Sequence, residues 1–232
     1  MERGVKYVMA SVNDILDKMR KAGKLQDNRG KGDAGEDAVI AICYDRLKRT
    51  GKGLLYQSYK YPYQSDRNNH VYVGNIKYED GKFTDYTSES FNDEIDVLYI
   101  TPYRVFVIEV KSYHARKLEV YDHWFNYNGS PVDKSPISQA EKHARHLYHA
   151  VKDYLPDGDP KYIVPLVCFV DRCKVLDDRD DHFREYVPIA ILDTLLATLQ
   201  KYNSPLAYNI DLEQLENRLN EVKVSIKRKL EI

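Results

Sequence analysis

Three charges interrupt the most apolar stretch of this 232-residue chain: Asp96, Glu109 and Lys111 lie within "EIDVLYITPYRVFVIEVKSY", Glu94 to Tyr113. If two strands run Glu94–Ile100 and Val105–Lys111 and pair about "TPYR" with Ile100 opposite Val105, Asp96 falls opposite Glu109 and Glu94 opposite Lys111. Directly opposed residues bring their Cβ atoms to about 5 Å, so the two acids repel each other, and half buried they are poorly solvated. A hard divalent cation such as Mg²⁺ removes that repulsion, takes oxygen ligands and keeps water for contact with a substrate. Lys111, on the same face as Glu109, is placed to orient or deprotonate a water, or to stabilise charge developing on a phosphate. The spacing therefore reads as metal-assisted phosphoester hydrolysis. The plainer alternative is a Glu94–Lys111 cross-strand ion pair beside an incidental Asp–Glu contact. Spacing alone does not name the substrate.

Those side chains need a sheet to hold them. Strict alternation puts Glu94, Asp96, Leu98, Ile100, Val105, Val107, Glu109 and Lys111 on one face, and Ile95, Val97, Tyr99, Phe106, Ile108 and Val110 on the other. Both faces are largely apolar, which implies an α/β fold: a central sheet covered by helices on both sides, with the charges gathered at one end. Apolar spacing predicts an N-terminal helix over 11–25 and a second over 34–48, headed by Asp33 and Glu36 at capping-box spacing. Glu36 shares the stripe of Val39, Ile40, Cys43 and Leu47, so it leans toward the sheet. A strand is expected at 54–61. An inserted β-hairpin over 71–87 turns at Asp80-Gly81, and "KLEVYDHWFNYNG" adds a strand and turn. Ser135 as N-cap and Pro136 at the first position open a helix with a buried stripe of Ile137, Ala140, Ala144, Leu147 and Val151. Gln139 borders that stripe, and His143 lies one turn on. "KYIVPLVCFVD" reads as a strand whose Pro165 marks an edge or bulge. "VPIAILDTLLATLQKY" reads as a helix, and a last helix is expected over 211–230, its apolar positions packed on the domain or used for a homodimer.

Composition narrows the class. With 43% hydrophobic and 31% charged residues the chain suits one domain, its core about 33–200. The formal net charge is −1, so any nucleic-acid contact must come from a local patch or from bound metal. Three cysteines fit neither a zinc site nor a disulfide framework, and no stretch reads as a signal core or a membrane span, so a cytoplasmic location is expected. The tyrosines of "YQSYKYPY" read as strand formers rather than a stacking platform, and Trp124 as core. His143, His146 and His149 drift around their helix without an evident partner, which argues against zinc.

The residues that carry the chemistry resemble the signature of the PD-(D/E)xK nuclease superfamily: Asp96, then Glu109-Val110-Lys111. More closely, "AGEDAV" at Ala34–Val39, "NDEIDVLYITPYRVFVIEVKSY" at Asn92–Tyr113, Trp124, and "SPISQAEKHARHL" at Ser135–Leu147 resemble, in order, the blocks of the nuclease-related domain (NERD) family. This resemblance implies a restriction-endonuclease-like core, a Mg²⁺ or Mn²⁺ cofactor and cleavage of DNA or a related nucleic acid. Matched by position, Asp96 and Glu109 would be metal ligands, Lys111 the catalytic lysine and the Val110 carbonyl a further ligand. The family's helix glutamate falls on Glu36, as a catalytic or metal-binding group, and its helix glutamine on Gln139. Ile95 stands where the superfamily name has proline, and the 71–87 hairpin extends the usual length. A binding module of the same fold with weak or lost catalysis is the rival reading.

Overall fold

The computed structural model describes residues 31–65, 71–73, 77–79, 82–84, 92–112, 117–121, 125–131, 135–170, 173–223 and 225–230. The helix expected over 11–25, the Asp80-Gly81 turn and Trp124 lie outside them. The first half of the chain forms α1 (Lys31–Thr50), β1 (Leu54–Ser65), β2 (Val71–Val73), β3 (Lys77–Glu79), β4 (Lys82–Thr84), β5 (Asn92–Ile100), β6 (Val105–Lys111), β7 (Lys117–Val120), β8 (Phe125–Tyr127) and β9 (Ser130–Pro131). The second half forms α2 (Pro136–Val151), β10 (Ile163–Phe169), β11 (Lys174–Asp177), α3 (Asp181–Tyr186), β12 (Ile189–Ile191), α4 (Leu195–Tyr202), α5 (Leu212–Val222) and β13 (Ser225–Leu230).

The central sheet has the order β12-β10-β6-β5-β1-β13, with β2 added to the end of β1. Strands β12, β10 and β6 are parallel, whereas β6, β5, β1 and β13 pair antiparallel, so the sheet is mixed. Helices cover both faces. Val97, Tyr99, Phe106 and Ile108 pack with Val39, Ile40, Cys43 and Leu47 of α1 and Leu195 and Leu199 of α4. Leu98, Ile100, Val105 and Val107 pack with Ala144, Leu147 and Val151 of α2 and Leu215 and Leu219 of α5. Each fully buried aliphatic side chain contributes about 1.5–3 kcal/mol, so the two layers fix the register of the β5–β6 hairpin, where Ile100 opposes Val105 as expected. Strand β3 pairs with β4 with Glu79 opposite Lys82, the register of a two-residue turn.

The tyrosine run is structural. Tyr56, Tyr59 and Tyr61 are buried. Tyr59 Oη donates to the Leu219 carbonyl at 2.6 Å and Tyr61 Oη to the His143 carbonyl at 3.0 Å, so these two rings fill the space under α5 and α2 with their polar ends satisfied.

Several expectations are corrected. The C-terminal segment is not one helix: α5 ends at Val222, and Ser225–Leu230 crosses back as a strand against β1. Its apolar spacing served a helix and then a strand, and α5 turns Leu215, Leu219 and Val222 into this chain's own core. Within "VPIAILDTLLATLQKY", the β-branched Ile189–Ile191 joins the sheet beside β10 and only Leu195–Tyr202 is α-helical. Helix α1 begins at Lys31, so Asp33 lies in its first turn rather than at the cap position. Ser135 does hold the N-cap position of α2, but its hydroxyl makes no capping hydrogen bond. Pro165 sits within a strand flanked on both sides, at a point where β12 has not yet begun to pair, so the strand is locally edge-like there.

Candidate active site

The sheet is interrupted along one row. The β1–β5 ladder runs from Leu54 opposite Ile100 to Pro62 opposite Asn92, and the β1–β13 ladder from Leu55 opposite Leu230 to Lys60 opposite Ser225; both skip Ser58. Ser58 has φ 52°, a left-handed conformation that costs a non-glycine residue on the order of 1–3 kcal/mol. The consequence is a change of face. Tyr56 and Tyr59, three residues apart, enter the same core cluster, which strict alternation forbids. Ile95, opposite Tyr59, follows them to the α2 face, while Val97 stays on the α1 face. The expectation that Ile95 and Val97 share a face is thus wrong. Asp96, between them and across from Ser58, lies on the switching row.

Pairing between β5 and β6 stops at Val97–Ile108, one step before the acids. There the Val110 N–H donates to Asp96 Oδ2 at 2.8 Å, so the carboxylate takes a backbone donor in place of the ladder bond. Asp96 and Glu109 are therefore neighbours across a parting of the strands rather than a regular cross-strand pair. Glu109 is only 4% exposed. Lys111 Nζ reaches its Oε1 at 2.5 Å. Glu109 Oε2 is buried and accepts no hydrogen bond, although His143 Nδ1 lies 3.3 Å away. Glu94, expected opposite Lys111, instead pairs with Lys60 at 3.0 Å on the other side of β5, which removes the plain cross-strand reading of Lys111.

These surroundings drive the two acids apart. Burial first, then the Glu109 charge and more weakly Glu36, push the Asp96 carboxyl up to about 7 against the pull of the Val110 N–H and Lys111. Burial also disfavours charge on Glu109, but His143 and Lys111 outweigh it and hold this carboxyl below the usual glutamate range. One acid stays ionised and the other is held near its protonation point.

Helix α1 brings Glu36 in. A Cβ on Gly35 would meet Val170 Cγ2 at 3.0 Å and Val110 Cγ1 at 3.6 Å, so glycine lets the first turns of α1 lie close to the ends of β6 and β10. Glu36 Oε2 accepts from Gln57 Nε2 at 3.0 Å and lies 3.4 Å from Ser58 Oγ, and Gln57 also reaches Asp37 Oδ1 at 3.3 Å. Glu36 thus reaches the Asp96 row from α1, anchored on side chains of β1. Gln139 is half-buried one turn before His143, and among the described residues no hydrogen bond or ion pair joins it to the carboxylates.

The sequence reading missed Asp93. This buried carboxylate receives Lys142 Nζ at 2.8 Å and His146 Nδ1 in a short contact, with His143 Nε2 at 3.8 Å. Burial opposes its charge, but the His146 and Lys142 hydrogen bonds hold it below the ordinary aspartate range. His143 therefore stands between Asp93 and Glu109. The usable signal was the basic flank Lys142, His143 and His146 on α2, which needs an acid facing it. Strict alternation turned Asp93 to the other face.

Among the described residues no three or more His, Cys, Asp and Glu side chains gather as a ready metal cage. A pair of neighbouring carboxylates, one of them buried, still suits Mg²⁺ or Mn²⁺, which bind through one or two carboxylates and keep waters. The Val110 N–H is committed to Asp96.

Among known families, the model of the nuclease-related domain matches residues 31–170, well over half of the chain. The chain belongs to the nuclease-related domain family. No curated protein and no solved structure matched it. The NERD match spans every candidate residue from Glu36 to His143 and ends just past β10. Strand β13, which closes the sheet beside β1, lies beyond it. Among the described residues no helix is long and apolar enough to cross a membrane.

Proposed function

We propose that this NERD chain is a metal-dependent nuclease that hydrolyses phosphodiester bonds of DNA, with Mg²⁺ or Mn²⁺ held by Asp96, Glu109 and the Val110 carbonyl. One observation carries the reading: Glu109, 4% exposed and held ionised by His143 and Lys111, lies beside an Asp96 carboxyl pushed up to about 7. Burial and mutual repulsion of the two carboxylates both cost stability, and a divalent cation would offset both. Such an ion supplies Lewis acidity toward water and the scissile phosphate. Lys111 Nζ, anchored on Glu109 Oε1, donates toward phosphate oxygens as their charge grows. His143 orients Glu109 from α2, and Glu36 acts on the Asp96 row through Gln57 and Ser58.

The test is single-turnover cleavage of a labelled DNA duplex, a DNA single strand and an RNA strand, each in Mn²⁺, Mg²⁺ and EDTA. Cleavage of DNA that needs the ion and is lost in Asp96→Ala supports the assignment. Binding without cleavage by the wild-type protein would make it a binding module, and cleavage unaffected by EDTA would overturn the site.

A further inference from the structure

A cavity of about 660 Å³ opens on the other flank of α2, lined by none of Glu36, Asp96, Glu109 and Lys111. Its floor is Ile163, Val164 and Pro165 of β10, on the stretch that β12 leaves unpaired. From Pro165 opposite Val107 to Phe169 opposite Lys111 is four residues, so the floor lies about 13 Å along the sheet from the catalytic lysine's position. Helix α2 divides the two places. Lys142, His143 and His146 face the carboxylates, while Arg145 and Tyr148 line the cavity.

The lining pairs positive charge with aromatic surface. Arg104, Arg145, Lys161 and Lys201 converge on it from four separate segments, against two acids, Glu141 and Glu185. In a chain of net charge −1 this local excess of cations is not a reflection of overall composition. Among the described residues none of the four cations forms an ion pair; Arg104 Nη1 donates to the adjacent Tyr103 carbonyl, and Lys201 Nζ stands 5.1 Å from the centre of the Tyr202 ring. Three rings, Tyr148, Tyr186 and Tyr202, form the walls. Two are held in place, Tyr148 Oη donating to the Gly158 carbonyl at 2.8 Å and Tyr202 Oη to that of Arg184 at 3.5 Å. Tyr186 is 51% exposed at the mouth.

We propose that this cavity is a binding site for a nucleoside phosphate, the base between the tyrosine walls over the apolar floor and the phosphate among the four cations. Either half of the lining alone would be unspecific. Cations without rings bind any small anion, and rings without cations bind any flat apolar group. Their meeting in a cavity of small-ligand size selects a ligand that is both planar and anionic. The phosphate has two possible sources, a free nucleotide or the phosphorylated end of a nucleic-acid strand. The site does not depend on the catalytic proposal, because none of its residues belongs to that machinery.

The experiment is isothermal titration of the full chain in EDTA, so that cleavage and metal binding play no part. The probes are AMP, adenosine, inorganic phosphate and a 5′-phosphorylated tetranucleotide. AMP is expected to bind saturably, with adenosine and phosphate each at least tenfold weaker. The exposed pair Arg145→Glu with Lys201→Glu should weaken AMP at least tenfold at unchanged melting temperature, and Tyr186→Ala should weaken AMP but not phosphate. Glu109→Ala, at the other site, should leave AMP affinity as it was. Competition between the tetranucleotide and AMP identifies a strand end as the source; binding of AMP alone identifies the free nucleotide. No saturable binding of AMP or tetranucleotide, phosphate as tight as AMP, or wild-type affinity in the charge-reversed variant would each overturn the proposal. Nuclease activity, present or absent in the cleavage assay, decides neither outcome.

Discussion

Asp93 and Asp96 sit three residues apart on β5 and have opposite surroundings. Asp93 is buried among Lys142, His146 and His143, and its carboxyl is held below the ordinary range. Asp96 is half-buried beside Glu109, with Glu36 near, and its carboxyl is pushed up to about 7. The first arrangement is what a fold does to stabilise a buried charge. The second leaves an acid short of cations, and a fold gains nothing from it without a ligand. The left-handed Ser58 separates the two by turning Asp93 toward α2 and leaving Asp96 on the row where the strands part.

The comparison is broken most strongly by removing the lysine. Lys111→Ala is expected to lower single-turnover cleavage by roughly two orders of magnitude or more while Mn²⁺ still raises the melting temperature, because Asp96 and Glu109 remain. Turnover within a few fold of wild type would reduce Lys111 to a structural partner of Glu109.

Asp93→Asn tests the other half. It leaves His146 and Lys142 facing a neutral group in a buried position, and breaking such a pair costs about 3 kcal/mol, several degrees in melting temperature for a chain of this size. Cleavage, scored per folded molecule, should fall much less than in Lys111→Ala, since Asp93 bears on Glu109 only through His143. A melting curve like that of the wild type would show that the Asp93 cluster does not stabilise the fold.

Which parts were legible follows from the same physics. The β5–β6 hairpin, its register, and the nearness of Asp96, Glu109 and Lys111 were readable because apolar alternation fixes register and three charges inside it need a reason. Glu36 was readable from its place on the α1 stripe. The face switch was not, since a serine in a strand gives no sign of a positive φ, and with it went the facing of Ile95 and the role of Asp93. The C-terminal strand was hidden for another reason. In "EVKVSIKRKLEI" the charged residues fit a helix as well as an outer strand, and only the open side of β1 decides between them.

The two aspartates also differ in the sign of their pH dependence. Asp96, raised above its unfolded value, contributes stability that is full below pH 4 and lost as pH climbs through about 7. Asp93 and Glu109, held low, contribute stability present above the unfolded carboxylate range and lost only in acid below it. Between pH 5 and 8 in EDTA, the wild type should therefore lose on the order of 2 kcal/mol relative to Asp96→Asn, which lacks the titrating acid. Thermal melts of both proteins across this range measure the difference, and millimolar Mn²⁺ should abolish it in the wild type. Parallel curves in EDTA would mean that Asp96 is not held beside an ionised Glu109.

The smallest effect concerns the residue that divides the two regions. With φ at 52°, Ser58 adopts a conformation open to glycine and hard for β-branched side chains. Its hydroxyl lies 3.4 Å from Glu36 Oε2, long enough that losing it costs little. Ser58→Gly should therefore change stability by no more than about 1 kcal/mol, on the stabilising side if relief of strain exceeds the added freedom of the unfolded chain. Ser58→Val should destabilise by about 1–2 kcal/mol more than glycine, because a branched Cβ resists the left-handed region and would pull β1 back toward regular pairing. In the valine variant Asp96 and Asp93 would be pressed toward a common alternation, so cleavage should fall with stability, whereas the glycine variant should keep cleavage near wild type. Denaturant melts and the cleavage assay on both proteins decide it. Equal stability for glycine and valine would mean that β1 runs straight through Ser58 in solution, and the separation of Asp93 from Asp96 would then need another cause.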